Sequence, residues 1–213
     1  MTTFISRREL LKAAAMAPVG RVLWTRLDAG SQGPGLQPGT LTSREMEILN
    51  AIAGRLIPND ELGPGAVDAG VTHYIDAALG GALSSSRPAY AAGLAAVDKY
   101  AQSSRGKAFT DLSPTDQDSV LIDVESGTAT GFTGSPAQFF AMVLGHTHQG
   151  MFGDPFYGGN KDFAGWDLIR YPGVRTMVTA TDQKNLEAQQ LKPNHKSAYD
   201  YDSFTKADPH HGE

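Results

Sequence analysis

The 213-residue chain predicts an all-α domain, an irregular bundle of about five or six helices with a long ordered Gly/Pro/aromatic loop near its C-terminal end. Three observations lead there. Apolar residues recur at helical spacing behind recognisable start signals. No alternating apolar/polar run is long enough to build a sheet. The 24 Gly and 12 Pro are plentiful, which suits helices joined by long ordered loops.

The elements follow in order. Residues 31–40 (SQGPGLQPGT) are a Gly/Pro linker. Thr42-Ser43-Arg44-Glu45 has capping-box spacing, and Met46, Leu49, Ile52, Ala53, Leu56 and Ile57 then share one face of a first helix, which Pro58 helps end. Asn59 to Gly65 is turn-rich. A second helix is expected over 66–79 with Val67, Val71, Tyr74, Ile75 and Ala78 inward, closed by Gly80-Gly81. A third, over 88–103, is Ala-rich and opens on Pro88. Ser113 and Pro114 start a fourth, with Asp116 and Asp118 favouring its N-terminal dipole and Val120, Leu121 and Val124 facing the core. Ser135-Pro136 repeats that signal ahead of Phe139, Phe140, Val143, Leu144 and Thr147 in a fifth.

Residues 150–173 (GMFGDPFYGGNKDFAGWDLIRYPG) hold too many Gly and Pro for one helix. They also hold six of the 18 aromatics: Phe152, Phe156, Tyr157, Phe163, Trp166 and Tyr171. Disordered linkers are poor in aromatics, so this is read as an ordered loop packed by its own side chains. Beyond residue 181 the chain is polar and reads as a frayed tail, with Tyr199, Tyr201 and Phe204 as the residues able to anchor it. The organisation is therefore a leader and linker over 1–40, a helical domain over 41–180 and a polar tail over 181–213.

Composition narrows function. The first 30 residues carry five Lys/Arg against two Asp/Glu. Without them the formal charge falls from −5 to −8, which argues against nucleic acid or anionic lipid as a partner. No cysteine is present, so disulfides, Cys-ligated iron–sulfur clusters, Cys-zinc sites and covalent c-type haem are excluded. Ser6-Arg7-Arg8-Glu9-Leu10-Leu11-Lys12 reads as a twin-arginine export signal, followed by a short apolar stretch without a clean small-x-small cleavage site. That route exports folded cargo, which points to the periplasm or the periplasmic face of the inner membrane. A basic N-terminal arm is the alternative.

Dinucleotide, P-loop, serine-elbow, zincin and EF-hand motifs are absent. His146-Thr147-His148 is the best remaining metal candidate, with His73 and Asp154 as conceivable further ligands. On a helix, however, residues two apart point roughly opposite ways. Asp154, Asn160, Asp162 and Asp167 match no calcium-loop spacing. His210-His211 reads as solvated tail.

Several segments resemble the gluconate 2-dehydrogenase subunit 3 family. They are Leu56-Ile57-Pro58-Asn59-Asp60, Gly63-Pro64-Gly65-Ala66, Ala69-Gly70-Val71, Tyr74-Ile75-Asp76, Phe109, Leu112-Ser113-Pro114 and Gln117. Densest are Phe139-Phe140, Thr147, Gly150, Phe152, Asp154-Pro155, Tyr157-Gly158-Gly159-Asn160, Gly165-Trp166 and Tyr171-Pro172-Gly173. The resemblance covers roughly 40–173. Arg170 departs from it, standing where that family more often has Gly, which implies a differently shaped loop end.

The resemblance implies a helical, non-catalytic small subunit with no cofactor of its own. Its partner would be a large FAD-containing sugar or polyol dehydrogenase of the glucose–methanol–choline type, escorted through the twin-arginine translocase. A multihaem cytochrome c subunit often completes such complexes. Phe152, Asp154, Pro155, Phe156, Tyr157, Gly158, Gly159, Asn160, Trp166 and Tyr171 are the candidate partner interface, because aromatics are enriched at binding hot spots. The same aromatics would equally serve this domain's own core. Two other classes stay open: an exported metal-dependent enzyme using His146 or His148, and a stand-alone periplasmic binding module.

Overall fold

A computed structural model describes residues 39–205. The export signal, most of the linker and His210-His211 lie outside these residues. The described chain is all-helical: α1 (Ser43–Leu56), α2 (Val71–Leu79), α3 (Arg87–Arg105), α4 (Pro114–Glu125), α5 (Pro136–Phe152), then shorter α6 (Ala164–Leu168), α7 (Ala180–Glu187) and α8 (Asp202–Thr205). An isolated bridge between Asp60 and Gly63 is the only extended pairing among the described residues.

The start signals act as the sequence predicts. Thr42 and Glu45 form a reciprocal capping box on α1, with Thr42 N donating to Glu45 Oε2 at 2.7 Å. The Ser113 and Ser135 hydroxyls accept from the backbone N–H groups of Asp116 and Gln138. Asp118 lies beyond the first turn, and its charge has another use. It makes a bidentate pair with Arg55, both bonds at 2.7 Å, which ties α4 to α1.

Two boundaries differ from expectation. The second helix begins at Val71, because Gly70 takes a left-handed φ of 73° that ends a preceding turn and re-aims the chain. Val67 belongs to that turn and is 42% exposed, so its expected inward place is corrected. The third helix runs to Arg105 and stops where Gly106 turns left-handed at φ 76°.

One core joins the five long helices. Leu49, Ile52, Val71, Ile75, Tyr90, Leu94, Val97, Phe109, Val120, Val143 and Met151 are essentially inaccessible. Each large aliphatic side chain so buried contributes about 1.5–3 kcal/mol. α5 is central, packing on α2, α3, α4 and α6. Its closest approaches use glycine. The Phe139 ring lies directly over Gly93 of α3, and a Cβ on Gly150 would stand 2.7 Å from the Tyr74 ring of α2. No described helix is long and apolar enough to cross a membrane.

A candidate partner surface at the loop end of the bundle

The C-terminal end of α5 presents carbonyls that no further helical turn can satisfy. The loop that follows supplies the donors. Asn160 Nδ2 donates to the Gly153 carbonyl at 2.8 Å, and Trp166 Nε1 donates to the Phe152 carbonyl at 2.9 Å. Asn160 is fully buried, and its Oδ1 accepts from Gly165 N at 2.8 Å. One side chain thus caps α5 and positions the start of α6. Asn160 sits at φ 48°, a conformation that Asn tolerates better than most residues.

Glycine makes the approach possible. A Cβ on Gly159 would overlap the Gly150 carbonyl oxygen, and one on Gly165 would overlap that of Met151. The 57–70 loop meets the same end, with Lys161 N donating to the Ala69 carbonyl at 2.9 Å. That second loop is tight in its own right: a Cβ on Gly65 would lie 2.6 Å from both Asn59 N and the Ile57 carbonyl.

The aromatics divide into two groups. Trp166 is 6% exposed and packs against Tyr171 and Phe163, at ring separations of 4.7 and 5.5 Å. Phe156 and Tyr157 instead meet the C-terminal segment: Tyr199 stacks on Phe156 at 3.7 Å and its hydroxyl lies 2.7 Å from that of Tyr157. Burial, aided by that contact, pushes the Tyr157 phenol well above its ordinary value. Asp154 caps the turn Pro155–Tyr157 and accepts from Ser197 Oγ at 2.6 Å and Ala198 N at 2.9 Å. For residues 194–201 the expectation of a frayed tail is therefore corrected. Tyr199 anchors the segment through its aromatic contacts, and Tyr201 through a hydrogen bond to the Val174 carbonyl at 2.8 Å.

The ten candidate interface residues are thus brought to one end of the molecule, but in different roles. Gly159, Asn160 and Trp166 are buried and hold the loop together. Phe152, Asp154, Pro155, Phe156 and Tyr157 are half-buried, while Gly158 and Tyr171 face solvent. Sequence reasoning missed Leu62, at 61% exposed, and Ile169, at 44%. Leu62 shares an open cleft of about 290 Å³ with Pro64, Ala164 and Leu168. No local signal marks either residue, since exposure depends on how the two loops meet.

Arg170 has φ 57°, a left-handed conformation that favours glycine, and its side chain is exposed. An L-residue there costs about 1–2 kcal/mol, partly offset by the extra unfolded-state freedom of Gly. Arg170→Gly should therefore raise stability by about 0.5–1 kcal/mol, read as a higher urea midpoint at unchanged m.

His146 and His148 pack against neighbouring rings. His146 Nδ1 lies 3.0 Å from Tyr90 OH and its ring stacks on that of Tyr90. His148 Nε2 is buried without a hydrogen bond. Among the described residues no three His, Asp or Glu side chains converge as a metal site requires. Asp154 is held by the C-terminal segment and His73 is exposed.

Desolvation lowers the pKa of both His146 and His148, so folding favours their neutral forms. The unfolded chain binds those protons at its ordinary, higher pKa of about 6.5. The stability is present above that value and is lost as pH falls from it towards the depressed folded values. His146→Gln should flatten this loss in melts taken between about pH 7 and 5.

An all-helical domain whose glycine-tight loops close one end of the bundle is the class this geometry defines. Residues 43–173 match the model of gluconate 2-dehydrogenase subunit 3, and the chain belongs to that family. The family's name makes its members one subunit of a multi-subunit dehydrogenase. No curated protein and no solved structure matches the chain.

Proposed function

We propose that the chain is the non-catalytic small subunit of a periplasmic FAD-dependent sugar or polyol dehydrogenase complex such as gluconate 2-dehydrogenase, which it stabilises and escorts through twin-arginine export. The observation that carries this reading is the family match over 43–173. The Ser6-Arg7-Arg8 signal, outside the described residues, supplies the export route. FAD belongs to the large partner, and haem c to a third subunit where one is present. The loop end supports the docking role, since the loops that meet there leave Leu62, Ile169 and Tyr171 exposed. No specific observation favours the metal-enzyme or stand-alone readings.

The test is an affinity pull-down of the C-terminally tagged chain from its native periplasm. The eluate is read for flavin absorbance and dye-linked sugar dehydrogenase activity. A co-eluting flavoprotein is expected, and Arg7→Lys together with Arg8→Lys should remove it from the periplasm. Recovery of a flavin-free monomer would overturn the proposal.

A further inference from the structure

The family domain ends at residue 173, yet the surface of its most distinctive loop is covered by residues further along the chain. Asp154, Phe156, Tyr157, Phe163 and Asp167 all lie inside the matched region. Their contacts come from outside it. Ser197 and Ala198 bond Asp154, Tyr199 stacks on Phe156 and meets Tyr157, and His195 stacks on Phe163 while its Nε2 lies 2.7 Å from Asp167 Oδ1. Resting on the function proposed above, we propose that residues 194–201 are a removable strap. In the free subunit the strap occupies part of the surface on which the flavoprotein docks, and the partner displaces it.

The contact has the chemistry of a docking segment: aromatic on aromatic, hydroxyl on carboxylate, and the N-terminal end of a short turn on the same carboxylate. It is also built to come away. Ser197 alone of the eight strap residues is buried, and the hydrogen bonds from Asn194 and Tyr201 to the Pro172 and Val174 carbonyls lie at the ends of the strap, where they can serve as hinges while its middle lifts. His195 sits at φ 47°, a left-handed conformation that release would relieve. The intervening residues 175–193 form an excursion whose helix, α7, buries none of its residues. The ties of Arg175, to the Lys192 carbonyl and to Asp182, run within the excursion itself. Such a segment gives the strap slack to swing without disturbing the core.

A docking surface that is mostly covered binds with an affinity reduced by the fraction of time it is open. Tyr199→Ala in the full chain should therefore tighten flavoprotein binding about tenfold or more, measured with purified subunits by calorimetry or interferometry. The chain has no cysteine of its own, so a strap lock can be introduced cleanly. Asp154→Cys with Ser197→Cys places thiols at two positions whose side-chain oxygens now hydrogen-bond, and each oxidised sample is compared with its own reduced form. The oxidised double variant should lose binding, and dithiothreitol should restore it.

Equal affinity for wild type, Tyr199→Ala and the oxidised double variant would show that the strap lies off the docking surface and overturn the inference, while leaving the subunit function standing. Weaker binding by a normally melting Tyr199→Ala would make the strap part of the interface, and that also overturns it. Failure of the wild-type chain itself to bind the flavoprotein would overturn both.

Discussion

Replacing Gly165 with alanine should destabilise the domain by about 3–4 kcal/mol, a large part of the roughly 5–15 kcal/mol that holds a typical domain folded. The new methyl group would fall on the Met151 carbonyl oxygen and within 3.2 Å of Asn160 Oδ1. Neither can yield. Met151 is fully buried in the last turn of α5, and Asn160 is fully buried beside it. α6 must move instead, which breaks the bond from Gly165 N to Asn160 and strains that from Trp166 to the Phe152 carbonyl. Overpacking contributes about 1–3 kcal/mol and each lost hydrogen bond about 1. Gly145→Ala is the matched control, because its Cβ would meet nothing within 4 Å in the middle of α5. It should gain up to about 1 kcal/mol from helix propensity. Urea denaturation of the two variants should give midpoints displaced in opposite directions. Equal midpoints would mean that α5 and α6 are not packed backbone to backbone.

What could be read from the sequence was local. The capping box at Thr42 and the Ser-Pro starts at Ser113 and Ser135 lie within four residues of the helices they begin, and each sits where expected. The early start assigned to the second helix failed because Val67 and Val71 stand at helical spacing, while the break between them depends on the φ of Gly70, which no spacing reports. The order of the aromatic loop was legible from its composition, but its organisation was not. Asn160 has the composition of a turn residue, and only the fold turns it inward to cap a helix that ended eight residues earlier. The strap was misread for a similar reason. Its polar residues find partners across 43 positions, from Ser197 to Asp154, and only Tyr199, Tyr201 and Phe204 hinted at an anchor, of which Phe204 is instead exposed. For His146 and His148 helical spacing set the two rings on different sides of α5, but it did not show that His146 meets Tyr90 or that His148 Nε2, expected to face water or to be bonded at the helix end, is buried without a hydrogen bond.

Trp166→Ala should cost about 3–5 kcal/mol, and the cause is the removal of a buried aromatic rather than the loss of a partner contact. The indole is 6% exposed, wedged between Tyr171 and Phe163, and its Nε1 satisfies a terminal carbonyl of α5. Truncation leaves a cavity and strips the Phe152 carbonyl of its donor, and both effects run in the same direction. Trp166→Phe keeps most of the packing and loses the hydrogen bond, so a cost of about 1–2 kcal/mol is expected. Tyr171→Ala removes a ring that is 37% exposed, leaves the Asn160 network intact, and should lower thermal stability far less. If flavoprotein capture falls with Trp166→Ala only in step with the melting temperature, while Tyr171→Ala weakens capture at near-normal stability, the indole supports the surface and the tyrosine belongs to it. A Trp166→Ala variant that melts like wild type yet captures no flavoprotein would reverse that assignment and make the indole itself the anchor.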